Sequence, residues 1–226
     1  MPAYFSYDVI LNKTEAKPFL PGIEVIEIGK PVLSEYDFNC LDKSIWIVDF
    51  RNQQVDKNGH LPYSVNLMTE MKFETWLGSI IQPHEPFYLT GDDDVNLLEV
   101  IKRTAAIGYE TQIVGAFVIG YTNVKMGKLN VEKFSTHQQE YTIIDVRNRT
   151  EVRDHPIFEN SLNIPLAELR GLIGQIPLEK PLVVHCTSGF RSAAGSSIIQ
   201  SSINNKAKVF DLGEAIKVFL PQEIDH

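Results

Sequence analysis

Cys186 ends an apolar run, Val183-Val184-His185, and opens a short loop, Thr187-Ser188-Gly189-Phe190, that closes at Arg191. Ser192-Ala193-Ala194-Gly195-Ser196 then reads as the start of a small-residue helix running through Gln200. Parallel α/β sheets bind ligands where strands end and helices begin. Successive backbone N–H groups and the helix N-terminus favour negative charge at such a junction. The same surroundings, with a guanidinium nearby, favour the thiolate form of a cysteine. The expected chemistry is therefore nucleophilic: Cys186 attacks, and the N–H groups from Thr187 to Arg191 stabilise the charge that it takes up.

Each loop residue also has a plainer reading. Free cysteine is among the most buried residue types, and the downstream Gly189 and Arg191 are what weigh Cys186 towards a nucleophile. Arg191 is expected to bind an anion rather than to serve as a surface cation. Gly189 supplies a positive φ or a close approach. Thr187, Ser188 and Phe190 line the loop through their N–H groups. The hydroxyls of Ser188 and Ser192 either donate to a ligand or cap the helix. His185 precedes the thiol on a strand, points to the opposite face and reads as structural.

The elements that must position this loop occur twice. Ile47-Val48-Asp49-Phe50-Arg51 recurs as Ile143-Ile144-Asp145-Val146-Arg147, 96 residues later. Tyr88-Leu89-Thr90 aligns with Val184-His185-Cys186, and Ile113 to Phe117 with Val209 to Gly213, at that same offset of 96. Val65-Asn66-Leu67 and Leu162-Asn163-Ile164 agree at 97. Such a constant offset implies two similar domains. In each, short buried strands alternate with helical stretches such as Asn96 to Arg103, the pattern of an α/β fold with a parallel sheet flanked by helices. The predicted boundaries are a leader over 1–30, a first domain over 31–122 and a second over 128–226. Tyr121 to Asn130, with Gly127 and few apolar anchors, reads as the linker.

In the first repeat, Thr90-Gly91-Asp92-Asp93-Asp94 stands where the second has its loop. It offers no thiol and no closing arginine, and its carboxylates would repel an anion. They read as helix caps, and this domain is expected to be catalytically silent. Asp49/Arg51 and Asp145/Arg147 read as structural ion pairs, and His60 as a brace for the turn at Gly59. Trp46, Trp76, Phe73 and Phe87 read as core, and Cys40 as structural.

The bulk properties exclude several classes. A net charge of −8 and the lack of a basic stripe argue against nucleic acid. No apolar run has the length of a membrane span, and Met1 to Phe5 lacks the regions of a signal peptide. Two cysteines, Cys40 and Cys186, in unlike contexts point to a reduced, cytoplasmic protein.

The run Cys186-Thr187-Ser188-Gly189-Phe190-Arg191-Ser192 resembles the C-x-x-G-x-R-S loop of rhodanese sulfurtransferases. Asp145-Val146-Arg147 and Asn163-Ile164-Pro165-Leu166 are similar to that family's early strand and to its segment after the second strand. Asp49-Phe50-Arg51, Gly59-His60-Leu61-Pro62 and Trp76-Leu77 fit the same template. The resemblance implies tandem rhodanese-like domains over roughly residues 30–220, with Cys186 and Arg191 catalytic. It implies that Thr187, Ser188, Gly189, Phe190 and Ser192 bind substrate. It departs at His155-Pro156-Ile157-Phe158, where the family has a Gly-His turn, and at Asp211 to Ile216.

Tyr4 to Lys13 resembles the stretch joining a metallo-β-lactamase-fold domain to tandem rhodanese domains in persulfide dioxygenase-type fusions. The implied full-length protein carries that domain as a partner. The six histidines here, His60, His84, His137, His155, His185 and His226, form no H-x-H-x-D-H cluster, so neither metal nor cofactor is expected in this chain.

The implied activity is double displacement. Cys186 takes the outer sulfur of thiosulfate or of a low-molecular-weight persulfide and passes it to a thiol, cyanide or sulfite. One rival is a phosphatase or arsenate reductase, whose Cys–Arg loops carry five intervening residues where this one carries four. The other is a non-catalytic rhodanese-like docking module.

Overall fold

Asp49 and Asp145 each end a short β-branched strand, and the arginine two residues on turns back to hold it. This repeated device organises a computed structural model that describes residues 34–70 and 72–221. The leader expected over residues 1–30 lies outside the described residues. The chain divides into two compact units, Met1–Lys125 and Met126–His226.

The first unit runs α1 (Glu35–Cys40), β1 (Trp46–Asp49), α2 (Gln53–Asn58), β2 (Ser64–Asn66), α3 (Phe73–Ile80), β3 (Phe87–Gly91), α4 (Asp94–Ala105) and β4 (Ile113–Val118). The second runs α5 (Val131–Thr136), β5 (Thr142–Asp145), α6 (Arg149–Asp154), β6 (Leu162–Asn163), α7 (Leu166–Leu172), β7 (Leu182–His185), α8 (Phe190–Ser202) and β8 (Val209–Asp211). Each unit holds a four-stranded, wholly parallel sheet, ordered β2-β1-β3-β4 in the first and β6-β5-β7-β8 in the second. Parallel strands need helical crossovers that cover both faces, which is why the central strand β7 is buried at every residue.

The core of the second unit gathers Phe134, Ile143, Phe158, Val183, Leu212 and Ile216. Phe134 meets Tyr141, Phe158 and Phe219 edge-on at centroid distances of 5.3, 5.6 and 5.5 Å, the arrangement that ring quadrupoles favour. Helix α8 buries Ser192 through Ile199. It approaches the sheet closely because its packed residues are small: a Cβ on Gly195 would lie 3.0 Å from Val146 Cγ1. Ser196 and Ser197 donate their hydroxyls to Ala193 O, so burying them leaves no orphaned polar atom.

Several expectations need correction. Thr90 does not occupy the place of Cys186. Asp49 pairs with Thr90 and Asp145 with His185, and Phe50 N and Val146 N donate to the carbonyls of Thr90 and His185. Thr90 therefore matches His185, and Gly91 matches Cys186. The second unit is shorter between its second and third strands, which the constant offset concealed.

The division between the two units falls within the segment 121–130, after Lys125, and residues on each side of it are anchored within their own unit. His60 and Val124 exchange backbone hydrogen bonds, Met126 is buried, and Gly127 abuts the Phe210 ring. Phe73 and Phe87 are core, but Trp46 and Trp76 are only half-buried. Cys40, at the end of α1, is exposed and packs into no core.

Candidate functional site

Two nearly identical braces set the carboxyl-terminal ends of the two sheets. Arg147 forks onto Asp145, with Nε 3.0 Å from Oδ1 and Nη2 2.6 Å from Oδ2, and donates Nη1 to His155 O at 3.0 Å. Arg51 does the same to Asp49 and donates to Gly59 O at 2.8 Å. Asn163 Nδ2 donates to Asp145 O and Arg147 O, and Asn66 Nδ2 to Asp49 O and Arg51 O. All four charged groups are buried, so each pair must satisfy itself in low dielectric. These are loop-fixing ion pairs rather than acid–base couples, as the sequence suggested.

Beside the second brace, Cys186 follows directly on β7, and Gly189 turns the chain into α8 with φ 97° and ψ −21°. That conformation strains any residue with a Cβ. It aims the Gly189 N–H at Cys186 Sγ, 3.2 Å away. Helix α8 starts at Phe190, two residues before the predicted start, with Gly189 as its cap. Neither Ser188 nor Ser192 caps it: Ser192 is fully buried and donates its hydroxyl to Gly189 O. Thr187 and Ser188 are exposed, and Phe190 is half-buried.

Cys186 is 1% exposed. Of the amides expected to face the sulfur, that of Gly189 donates to it. Arg191 closes the loop but spends its fork on Glu151: Nη1 lies 2.6 Å from Oε2 and Nη2 2.8 Å from Oε1. Its Nη2 is also 3.3 Å from Thr187 Oγ1. Burial is the largest single effect and opposes the Arg191 charge, but the hydrogen bonds to Glu151 together with attraction to Cys186, Glu151 and Asp145 raise the guanidinium above its ordinary range. The same bonds hold the Glu151 carboxyl below the usual glutamate value against the opposing effect of burial.

Glu151 is the site residue that sequence reasoning missed. It stands third in α6 and accepts from Asn148 N at 3.1 Å. The spacing Asn148-x-x-Glu151 is a capping-box pattern and could have flagged it. Its partner Arg191 is 40 residues away, which no local pattern reveals.

His185 points away from the loop, as alternation along a strand requires. It packs edge-on to Phe158 at 4.8 Å, with Nε2 3.5 Å from Asp145 Oδ2. Burial pushes it down to about 4, against the pull of Asp145, so it is neutral at physiological pH. A cavity of about 640 Å³ lies at the other end of this sheet, beside Tyr141, Thr142 and Lys180, away from Cys186.

In the first unit the corresponding place is filled. A Cβ on Gly91 would sit 1.9 Å from Phe50 Cζ. Asp93 caps α4 by accepting from Asn96 N at 2.8 Å, as expected for negative charge at a helix start. Among the described residues no cluster of metal-ligating side chains occurs, and no helix is long and apolar enough to cross a membrane.

Residues 130–218 match the family described as rhodanese-like domain. No curated protein matches the chain. Among solved structures, it is similar to a rhodanese-related protein from Thermoplasma volcanium at 27% identity, covering 41% of this chain and 88% of that one with a TM-score of 0.36. It is similar to the human single-domain sulfurtransferase TSTD1 at 20% identity, covering 42% and 96%, with a TM-score of 0.33. SseA from Escherichia coli, described with the rhodanese fold of 3-mercaptopyruvate sulfotransferases, is 15% identical, covers 74% and 91%, and has a TM-score of 0.32.

Proposed function

From the premise that residues 130–218 form a rhodanese-like domain, we propose that the chain is a sulfurtransferase whose nucleophile is Cys186. The thiolate attacks the outer sulfur of thiosulfate or of a low-molecular-weight persulfide. A bond forms between Cys186 Sγ and that sulfur, and sulfite or a thiolate leaves with the electron pair of the broken S–S bond. The second displacement hands the sulfane atom to a thiophilic acceptor and frees the thiolate.

The observation that carries this reading is the Gly189 N–H directed at Cys186 Sγ from 3.2 Å, at the N-terminus of a thirteen-residue helix. Amides fixed in advance around a charged sulfur stabilise it without reorganisation. Thr187, Ser188 and Phe190 complete the loop that meets the donor. Ser192 contributes through the backbone, its hydroxyl being committed to Gly189 O.

The first unit is a silent relative of the second. The shared strand order and the duplicated Asp–Arg–Asn brace support that kinship, and Gly91 in the thiol position supports the silence. The free thiols of Cys40 and Cys186 suit a reducing compartment such as the cytoplasm.

A second reading, a rhodanese-like docking module without activity, draws on the 1% exposure of Cys186. Incubation with thiosulfate or glutathione persulfide, followed by intact-mass spectrometry, separates the two. The proposal expects one added sulfur atom, lost in Cys186→Ser. A folded protein that gains none supports the docking module. Turnover of an aryl phosphate without sulfur uptake supports a phosphatase.

A further inference from the structure

The cations of the loop are already engaged. Arg147 is forked onto Asp145, with both side chains almost fully buried. Arg191 is forked onto Glu151, with the arginine side chain 12% and the glutamate 38% exposed. Within these two pairs, two guanidinium groups and two carboxylates carry no net charge between them. The donors left to a substrate are backbone dipoles and the hydroxyls of Thr187 and Ser188, none of which carries the charge of a full cation. A bidentate carboxylate also satisfies the guanidinium face that would otherwise receive a second anion.

From this we infer that Glu151 is a positioning residue that sets donor specificity: by holding Arg191, it disfavours dianionic thiosulfate and favours persulfides, whose ionisable group is the transferred sulfur itself. The inference rests on the sulfurtransferase reading and deepens it. A persulfide brings its outer sulfur to Cys186 Sγ and releases an ordinary thiol. Thiosulfate must in addition bring a sulfonate against Glu151 and against the nucleophile's own charge. Thr187 Oγ1, 3.3 Å from Arg191 Nη2, helps to keep the guanidinium in this place.

The test compares kcat/KM for thiosulfate with that for 2-hydroxyethyl persulfide, which carries no other ionisable group. The wild-type protein is expected to favour the persulfide. Glu151→Gln keeps a side-chain oxygen for Asn148 N and removes the charge. It should shift the ratio towards thiosulfate by about tenfold and make the thiosulfate rate fall more steeply with added salt.

A wild-type preference for thiosulfate, or a ratio and salt slope unmoved by Glu151→Gln, overturns the inference and leaves the sulfurtransferase reading intact. Failure of the wild-type protein to take sulfur from either donor overturns both. Because the wild-type preference needs no substitution, the inference stays testable even if the variant folds poorly.

Discussion

The ring of Phe50 lies where a side chain on Gly91 would project, so that a Cβ there would stand 1.9, 2.2 and 2.7 Å from its Cζ, Cε2 and Cε1 atoms. In the second sheet the corresponding pair is Val146 and Cys186. A smaller residue beneath the loop leaves room for a side chain at the strand end, and a larger one removes it. One exchange of size thus separates a strand end with room for a side chain from one without it.

Gly91→Ala should therefore destabilise the protein by about 1–3 kcal/mol, the usual cost of overpacking a buried site. Phe50→Val alone creates a cavity and also destabilises. The double variant should lose less than the sum, with a coupling of at least about 1 kcal/mol, because the smaller side chain makes room for the new methyl. Urea unfolding of the four proteins measures it, and additive losses would show that the contact is not shared.

The strands and the paired braces were legible because each depends on residues close in sequence. Asp145 and Arg147 lie two positions apart, and the carbonyl that Arg147 reaches is that of His155, eight further on. The 97-residue spacing of Asn66 and Asn163 had a physical cause as well, since each amide clamps the loop after the first strand of its sheet. The match of Thr90 with Cys186 failed because residue types cannot register a deletion inside a helix or loop, whereas the ladder pairs Asp145 with His185 directly. The engagement of Arg191 by Glu151, like the Phe50 contact, joins segments that only tertiary packing brings together. The position of the loop between strand and helix was readable; the engagement of its arginine was not.

Removing half of the buried brace should cost far more than a surface ion pair. Arg147→Met leaves Asp145 charged and almost fully excluded from water and frees His155 O. A loss of about 3–5 kcal/mol is expected, as for other buried pairs broken on one side. Arg149→Met removes a solvent-exposed partner of Glu168 and should cost less than about 1 kcal/mol. Equal losses in chemical denaturation would mean that the Asp145–Arg147 pair is more solvated than its geometry indicates.

Gly189 carries the directed amide, and its φ of 97° is poorly tolerated by other residues. Gly189→Ala should strain the loop by at least about 1–2 kcal/mol and turn the N–H away from Cys186. Sulfur loading measured by mass should slow by about a hundredfold or more, the scale seen when one preorganised donor is lost. Gly171→Ala is the control: its Cβ meets nothing within 4 Å, within helix α7, where alanine is the better helix former. If both variants load sulfur at the same rate, the Gly189 amide has no part in the chemistry.

His185 should make stability depend on pH in mildly acidic solution. Burial lowers its pKa from 6.5 in the ordinary state to about 4 in the fold, so between these values the unfolded chain binds a proton that the native protein refuses. Stability from this group is complete above pH 6.5 and is lost progressively as pH falls towards 4, by at most about 3 kcal/mol. Asp145, 3.5 Å from Nε2, limits the loss by favouring the protonated ring, and Arg147 opposes it. His185→Gln cannot titrate, so its urea midpoint should fall less steeply than that of the wild type between pH 6.5 and 4, whatever its stability at neutral pH. Parallel curves would mean that the imidazole is solvated in the native state, contrary to its complete burial against Phe158.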